Sequence, residues 1–204
     1  MRMRKKKHRD ARIQSHADLL FNAEVENFST PVFLEIGCGK GGFICELAKL
    51  NPDANFVAVE RNPDVMVLGM ENAASMGLAN VRFLQANAER LAEYFAPGAV
   101  AGIYLNFSDP WHKRYQAAKR LTYKSFLELY KNIMTPGARL IMKTDNINLF
   151  DFSVKSLSEN GFTILNQTRD LYSSEFLEGN VQTEYEKKFV AEGVKICRIE
   201  AVYI

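Results

Sequence analysis

Short apolar runs alternate along this chain with stretches of helical period. Val32-Phe33-Leu34-Glu35-Ile36 is apolar but for one glutamate and predicts a buried strand. Behind it, Gly42 to Leu50 sets Phe43, Leu47 and Leu50 on one helical face, stopped by Asn51-Pro52. Asn55 to Glu60 predicts a second strand, and Asn62-Pro63 supplies the cap and first residue of a helix closing near Gly77. Val81 to Gln85 and Ala99 to Phe107 predict two further strands around a short helix from Ala88 to Phe95. A helix over Thr122 to Met134, a turn at Thr135-Pro136-Gly137 and a strand over Arg139 to Lys143 come next. Then follow a helix from Leu149 to Glu159 and a strand from Phe162 to Asn166. Tyr185 to Val190 and Lys195 to Tyr203 read as a hairpin turning at Glu192-Gly193. The pattern specifies an α/β fold, a doubly wound, mostly parallel sheet with an antiparallel hairpin at one edge. At 204 residues, one domain over 26–204 behind an N-terminal arm of residues 1–25 is the expected organisation.

Composition narrows this picture. With 47% hydrophobic and 25% charged residues, the chain is not a disordered one. Cys38, Cys45 and Cys197 form an odd set without a CxxC pair, which argues against disulfides and structural zinc and suits a reducing cytoplasm. His8, His16 and His112 add no metal-ligand spacing, so no metal is expected. The basic start leads into Ile13-Gln14-Ser15-His16 rather than an apolar leader segment. The longest uncharged run, Tyr94 to Ser108, spans 15 residues broken by Pro97, Gly98 and Gly102, too short for a membrane helix. A soluble protein without a membrane partner is expected, and a homodimer is left open.

The net charge of +2 conceals an asymmetry. Residues 1–12 carry seven bases against one acid, and residues 113–124 carry five against none. The rest holds 14 bases and 23 acids, an acidic body with two basic patches. Screening confines each patch's field to about 8–10 Å, so the patches can aim a polyanion without coating the protein in it.

Gly37-Cys38-Gly39-Lys40-Gly41-Gly42 joins the first strand to its helix, where α/β folds bind nucleotides. The string fits both G-x-G-x-x-G and G-x-G-x-G, and alone it does not choose between NAD and S-adenosylmethionine. Glu60, ending the second strand, can accept from both ribose hydroxyls of either cofactor. Glu35 favours S-adenosylmethionine, because a carboxylate there suits a cationic amino-acid end. Asn87, just past the third strand, offers an amide to an adenine. To this point the chain resembles the class I methyltransferases, whose strand order 3-2-1-4-5-7-6 agrees with the elements above.

Asn106-Phe107-Ser108-Asp109-Pro110-Trp111-His112-Lys113 ends the fourth strand, and Lys119-Arg120-Leu121 follows. With Lys143-Thr144-Asp145 and Thr183-Glu184-Tyr185-Glu186, these segments resemble the bacterial tRNA (guanine-N(7)-)-methyltransferases over residues 32–203. The resemblance implies methylation of N(7) of a guanine in the tRNA variable loop. It implies that Glu35, Glu60, Asn87 and Asp109 hold S-adenosylmethionine, beside the backbone of Gly37, Gly39 and Gly41 already read from the turn. It further implies that Lys113, Asp145, Thr183, Glu184, Tyr185 and Glu186 meet the substrate, and that Tyr115, Gln116, Ala117, Ala118, Lys119 and Arg120 contact RNA. Ser108 and His112 stand where relatives often carry proline, and the relatives' N-terminal Pro-Trp is absent. N(7) has a lone pair and no proton, so alignment rather than a general base should dominate. Asp109 is the catalytic candidate, by stabilising the cationic product ring, with Asp145 second. A methyltransferase acting on an exocyclic amine, a nicotinamide oxidoreductase and a non-enzymatic RNA-binding module are the alternatives.

Overall fold

Val32–Ile36 (β1) is buried at four of its five positions because helices cover both faces of a parallel sheet, which is why it reads as a continuous apolar run. The computed structural model describes residues 8–22 and 32–204. In chain order its elements are α1 (Arg9–Gln14), β1, α2 (Gly42–Leu50), β2 (Asn55–Val59), α3 (Pro63–Ser75), β3 (Val81–Leu84) and β4 (Val100–Asn106). They continue with α4 (Lys124–Ile133), β5 (Met134–Thr144), α5 (Ile147–Glu159), β6 (Phe162–Thr168), α6 (Glu184–Ala191) and β7 (Cys197–Tyr203). The sheet runs β3-β2-β1-β4-β5-β7-β6, with β7 antiparallel to both neighbours and the other pairings parallel.

Alternation along β2 divides the core. Phe56 and Ala58 pack with Phe43, Ile44, Met66 and Met70 of α2 and α3. Val57 and Val59 join the opposite core with Leu91, Leu127, Tyr130 and Leu157. The expected cap at α3 forms, Asn62 Oδ1 accepting from the Asp64 amide at 3.0 Å with Pro63 in the first turn. Ala88–Glu93 is a 3₁₀ helix rather than an α-helix. The chain pairs already at Met134, opposite Val100, then loops out through Gly137 (φ 84°) before Arg139 pairs with Gly102. The expected turn is therefore an excursion inside β5.

One expectation fails. Tyr185–Val190 is not a strand but most of α6, and the antiparallel pair at the sheet edge consists of β6 and β7. Thr183 and Glu186 form a reciprocal capping box at the start of α6. Gly193 (φ 73°) ends it: its amide donates to Val190 O at 3.0 Å and that of Val194 to Phe189 O at 2.9 Å, a Schellman closure. Glu192-Gly193 thus stops a helix instead of turning a hairpin.

Residues 8–22 lie against this domain. Arg12 grips Glu71 of α3 through two 2.6 Å hydrogen bonds, and Arg9 lies 3.7 Å from Asp64. Leu20 bridges to Phe83 and the Phe21 amide donates to Phe83 O at 2.9 Å, extending the sheet edge beyond β3. The remaining arm bases, Arg2, Arg4, Lys5, Lys6 and Lys7, and the expected boundary at residue 25 lie outside the described residues. No helix among the described residues is long and apolar enough to cross a membrane.

Candidate active site

The carboxyl ends of β1, β2 and β4 open into one cleft of about 820 Å³, beside the point where strand order reverses between β1 and β4. Its floor is the glycine turn. Gly37, Gly39 and Gly41 all have positive φ (80°, 58° and 71°), the left-handed region that L side chains avoid. Gly41 is also sterically fixed, since a Cβ there would lie 3.1 Å from Gly69 Cα and 3.3 Å from the Phe83 ring. Glu60 is braced by two backbone amides, Gly39 N at 3.2 Å and Asn62 N at 2.8 Å. Asn87 is exposed at the cleft wall.

Glu35 sits beneath the turn, only 2% exposed. Its Oε1 accepts from Asn106 Nδ2 at 2.9 Å, while Oε2 has no hydrogen-bond partner among the described residues. Burial pushes this carboxyl up to about 8, against the opposing influence of the Asn106 bond and the Lys143 charge. The Ile44 backbone amide also favours the charged form, yet Oε2 makes no hydrogen bond of ordinary geometry with a described residue. Such a buried acceptor suits a ligand that brings a cation. With the glycine cradle and the braced carboxylate of Glu60, the site fits a nucleoside with a cationic amino-acid end.

Across the cleft, the β4 exit is strained. Phe107 (φ 51°) and Trp111 (φ 45°) are left-handed although bulky, a cost of about 1–3 kcal/mol each that surroundings must hold in place. The Phe107 amide donates to Lys143 O at 2.8 Å. Its ring stacks on Tyr185 and Phe189, with centroids 6.4 and 5.8 Å away. Between the two strained residues Asp109 projects into the cleft mouth, exposed, with Arg61 Nη2 3.9 Å from its Oδ2.

The other residues read from the sequence separate into groups. Thr183, Glu184 and Tyr185 line the cleft, Tyr185 being 63% exposed and Glu184 pairing with Lys40 at 3.1 Å. Glu186 does not face it. That carboxylate is fully buried, accepting from Lys143 Nζ at 2.5 Å, Tyr172 Oη at 2.9 Å and Asn180 Nδ2 at 2.7 Å. Asp145 is exposed outside the cleft lining, and Asn146, not Asp145, caps α5. Lys113 is exposed beyond the cleft, its ammonium 5.8 Å from the Tyr115 ring. Tyr115, Gln116, Ala117 and Ala118 belong to a 3₁₀ turn at Arg114–Lys119, of which Lys119 reaches the cleft, 4.7 Å above the Trp111 ring. Arg120 turns inward to the carbonyls of Pro110 and Trp111. Sequence reasoning missed Lys40, Arg61 and Lys188 as lining residues, and Phe107 and Phe189 as the support of Tyr185. The four-residue spacing of Tyr185 and Phe189 was the available signal for that support.

The strand order, the glycine cradle and the acidic pair beside it define a class I methyltransferase fold. Among solved structures it resembles the 16S rRNA methyltransferase KamB, with a TM-score of 0.63 at 16% identity over 100% of this chain and 97% of that one. A family model described as "Putative methyltransferase" matches residues 29–199. The tRNA (guanine-N(7)-)-methyltransferase of Geobacillus kaustophilus (strain HTA426) is 47% identical over 179 residues, covering 88% of this chain and 82% of that protein. That of Geobacillus thermodenitrificans (strain NG80-2) is 48% identical over 172 residues, 84% of this chain and 79% of its own. The chain belongs to the tRNA (guanine-N(7)-)-methyltransferase family.

Proposed function

We propose that the cleft takes S-adenosylmethionine on the glycine turn and a guanine of tRNA against Asp109 and Tyr185, and that the enzyme methylates N(7) of that guanine. The supporting observation is that one cavity joins Glu35, the glycine turn and Glu60 to Asp109 and an exposed Tyr185 ring. Bound S-adenosylmethionine would supply an electrophilic methyl group on sulfur.

The chain's own residues then have distinct tasks. Glu35 Oε2 receives the cofactor's ammonium and Glu60 its ribose hydroxyls, with Asn87 at the adenine. Tyr185, backed by Phe107 and Phe189, offers a flat face on which a base unstacked from RNA can lie. Asp109 needs to remove no proton, because N(7) has none; its carboxylate stabilises the positive charge that the ring acquires. Lys119 sits at the rim, where a phosphate of the incoming strand would pass. The basic arm, residues 1–25, is a second phosphate contact through the bases preceding His8, and the domain over 26–204 carries the chemistry. A cytoplasmic setting belongs to this reading, supported by a tRNA substrate and three unpaired cysteines that suit a reducing compartment.

Incubation with labelled S-adenosylmethionine and bulk tRNA, followed by nucleoside analysis, tests the assignment. Label in 7-methylguanosine is expected. Label in an N2-methylated guanine or an adenine would overturn the N(7) assignment, and none in tRNA would overturn the substrate.

A further inference from the structure

One side chain of the second basic patch contradicts the patch's composition. Arg120 is half-buried, and its guanidinium makes two directed bonds inside the protein: Nε donates to Pro110 O at 3.0 Å and Nη2 to Trp111 O at 3.2 Å. Its plane covers the Phe152 ring of α5, 4.4 Å from the ring centroid. Lys119, one residue earlier, faces the cleft instead.

Those two carbonyls lie at a critical place. Left-handed Phe107 and Trp111 bracket Asp109, and such backbone persists only where neighbours hold it. On the Phe107 side the bond to Lys143 O and the stack on α6 do this. From Ser108 to His112 no backbone-to-backbone hydrogen bond forms with another described residue, and Pro110 has no amide to offer. Arg120 therefore supplies the directed bonds that hold the second bend. A planar fork that also stacks on a ring suits this task, and a lysine cannot reproduce it.

We infer that Arg120 is a positioning residue that fixes the Asp109–Trp111 loop from within the protein, and not a contact to the RNA backbone. This rests on the placement of Asp109 beside the transferred methyl. By this account Arg120 governs the rate at saturating tRNA and leaves the strength of tRNA binding nearly untouched.

Trp111 is the chain's one tryptophan, so its fluorescence reports on this loop alone. In the full chain without tRNA, Arg120→Lys and Arg120→Ala should each raise acrylamide quenching of Trp111 about twofold or more, with the thermal transition retained. In turnover, kcat should fall roughly 10- to 100-fold, with KM for tRNA and its salt dependence within twofold of the parent. Arg120→Lys should not rescue, although it keeps the charge. Should Arg120→Ala fail to fold, Arg120→Lys and Phe152→Leu, which removes much of the stacking surface, carry the same comparison. Unchanged quenching, or parental kcat with a raised KM and a shallower salt dependence, would overturn the inference and make Arg120 a phosphate contact. A parent protein that left guanine N(7) unmethylated would refute the functional reading, while the quenching comparison would still judge the loop.

Discussion

Asp109 stands exposed between two left-handed aromatics, and the proposed reaction assigns its carboxylate to the place where charge develops. Asp109→Asn keeps the shape and removes the charge, so single-turnover methyl transfer should fall roughly 10²- to 10³-fold, or about 3–4 kcal/mol, while cofactor affinity changes less. A near-parental rate with both substrates saturating would leave Asp109 as a turn residue. Glu35 offers a second test because its carboxyl is raised from 4.5 to about 8 by burial. In the folded chain it stays protonated up to about pH 8, but in the unfolded chain only to about 4.5. Its contribution to stability is thus fully present below the unfolded value and is lost as pH rises through the folded one. The parent's melting temperature should fall from pH 5 to pH 8 relative to Glu35→Gln. Asn106, Lys143 and Glu60 act on this carboxyl and are unchanged in the comparison. An ammonium on Oε2 favours the ionised form, so cofactor binding near pH 7 should release a proton that Glu35→Gln does not. Calorimetry in buffers of different ionisation enthalpy would read that release, and equal release from both proteins would remove Glu35 from the cofactor's amino end.

α6 carries Tyr185 into the cleft, and its position depends on a buried ion pair beneath it. Lys143 Nζ meets Glu186 Oε2 at 2.5 Å, also donates to Val181 O at 2.7 Å, and lies 5.1 Å from the Phe43 ring centroid. Burial lowers the lysine's affinity for its proton and Glu186 restores part of it. Removing one partner strands the other, so Lys143→Met should cost about 3–5 kcal/mol in chemical denaturation. Lys143→Met with Glu186→Gln should recover part of that cost, and equal stability of the two variants would show that the charge pairing is not what holds α6. This helix also marks where the sequence was hard to read. The parallel strands were legible because burial on both faces leaves apolar runs such as Phe56–Val59. Tyr185–Val190 fits a period of two about as well as a helical one, and tertiary stacking of Tyr185 and Phe189 on Phe107 decides for the helix. Thr183 and Glu186 spell a capping box, a local helix signal that coincides with the segment resembling the substrate motif. The glycine turn and the acid beside it were legible because turn chemistry is local. The inward turn of Arg120 was not, since it depends on α5 and on strain at Trp111.

Across the whole molecule, the two basic patches contribute less free charge than their sequences suggest. Of the first patch, Arg9 and Arg12 already face Asp64 and Glu71. Of the second, Arg120 is committed to its own loop, whereas Lys119 stays at the cleft rim. Counterion release on binding counts only the bases that neutralise phosphates. For tRNA affinity measured across a salt series, Lys119→Ala should therefore reduce the log–log slope by roughly 0.7–0.9, the value of one phosphate contact. Arg120→Ala, which removes a charge, should leave the slope nearly unchanged. Removing residues 1–7 deletes five bases and spares the α1 pairings, so the slope should drop by up to about 4 if every one meets a phosphate. Deletion through residue 12 would mix this effect with loss of the Arg12–Glu71 clasp and is the poorer experiment. A slope identical to the parent's after removal of residues 1–7 would reduce that patch to solvated surface, leaving the rim around Lys119 as the tRNA contact.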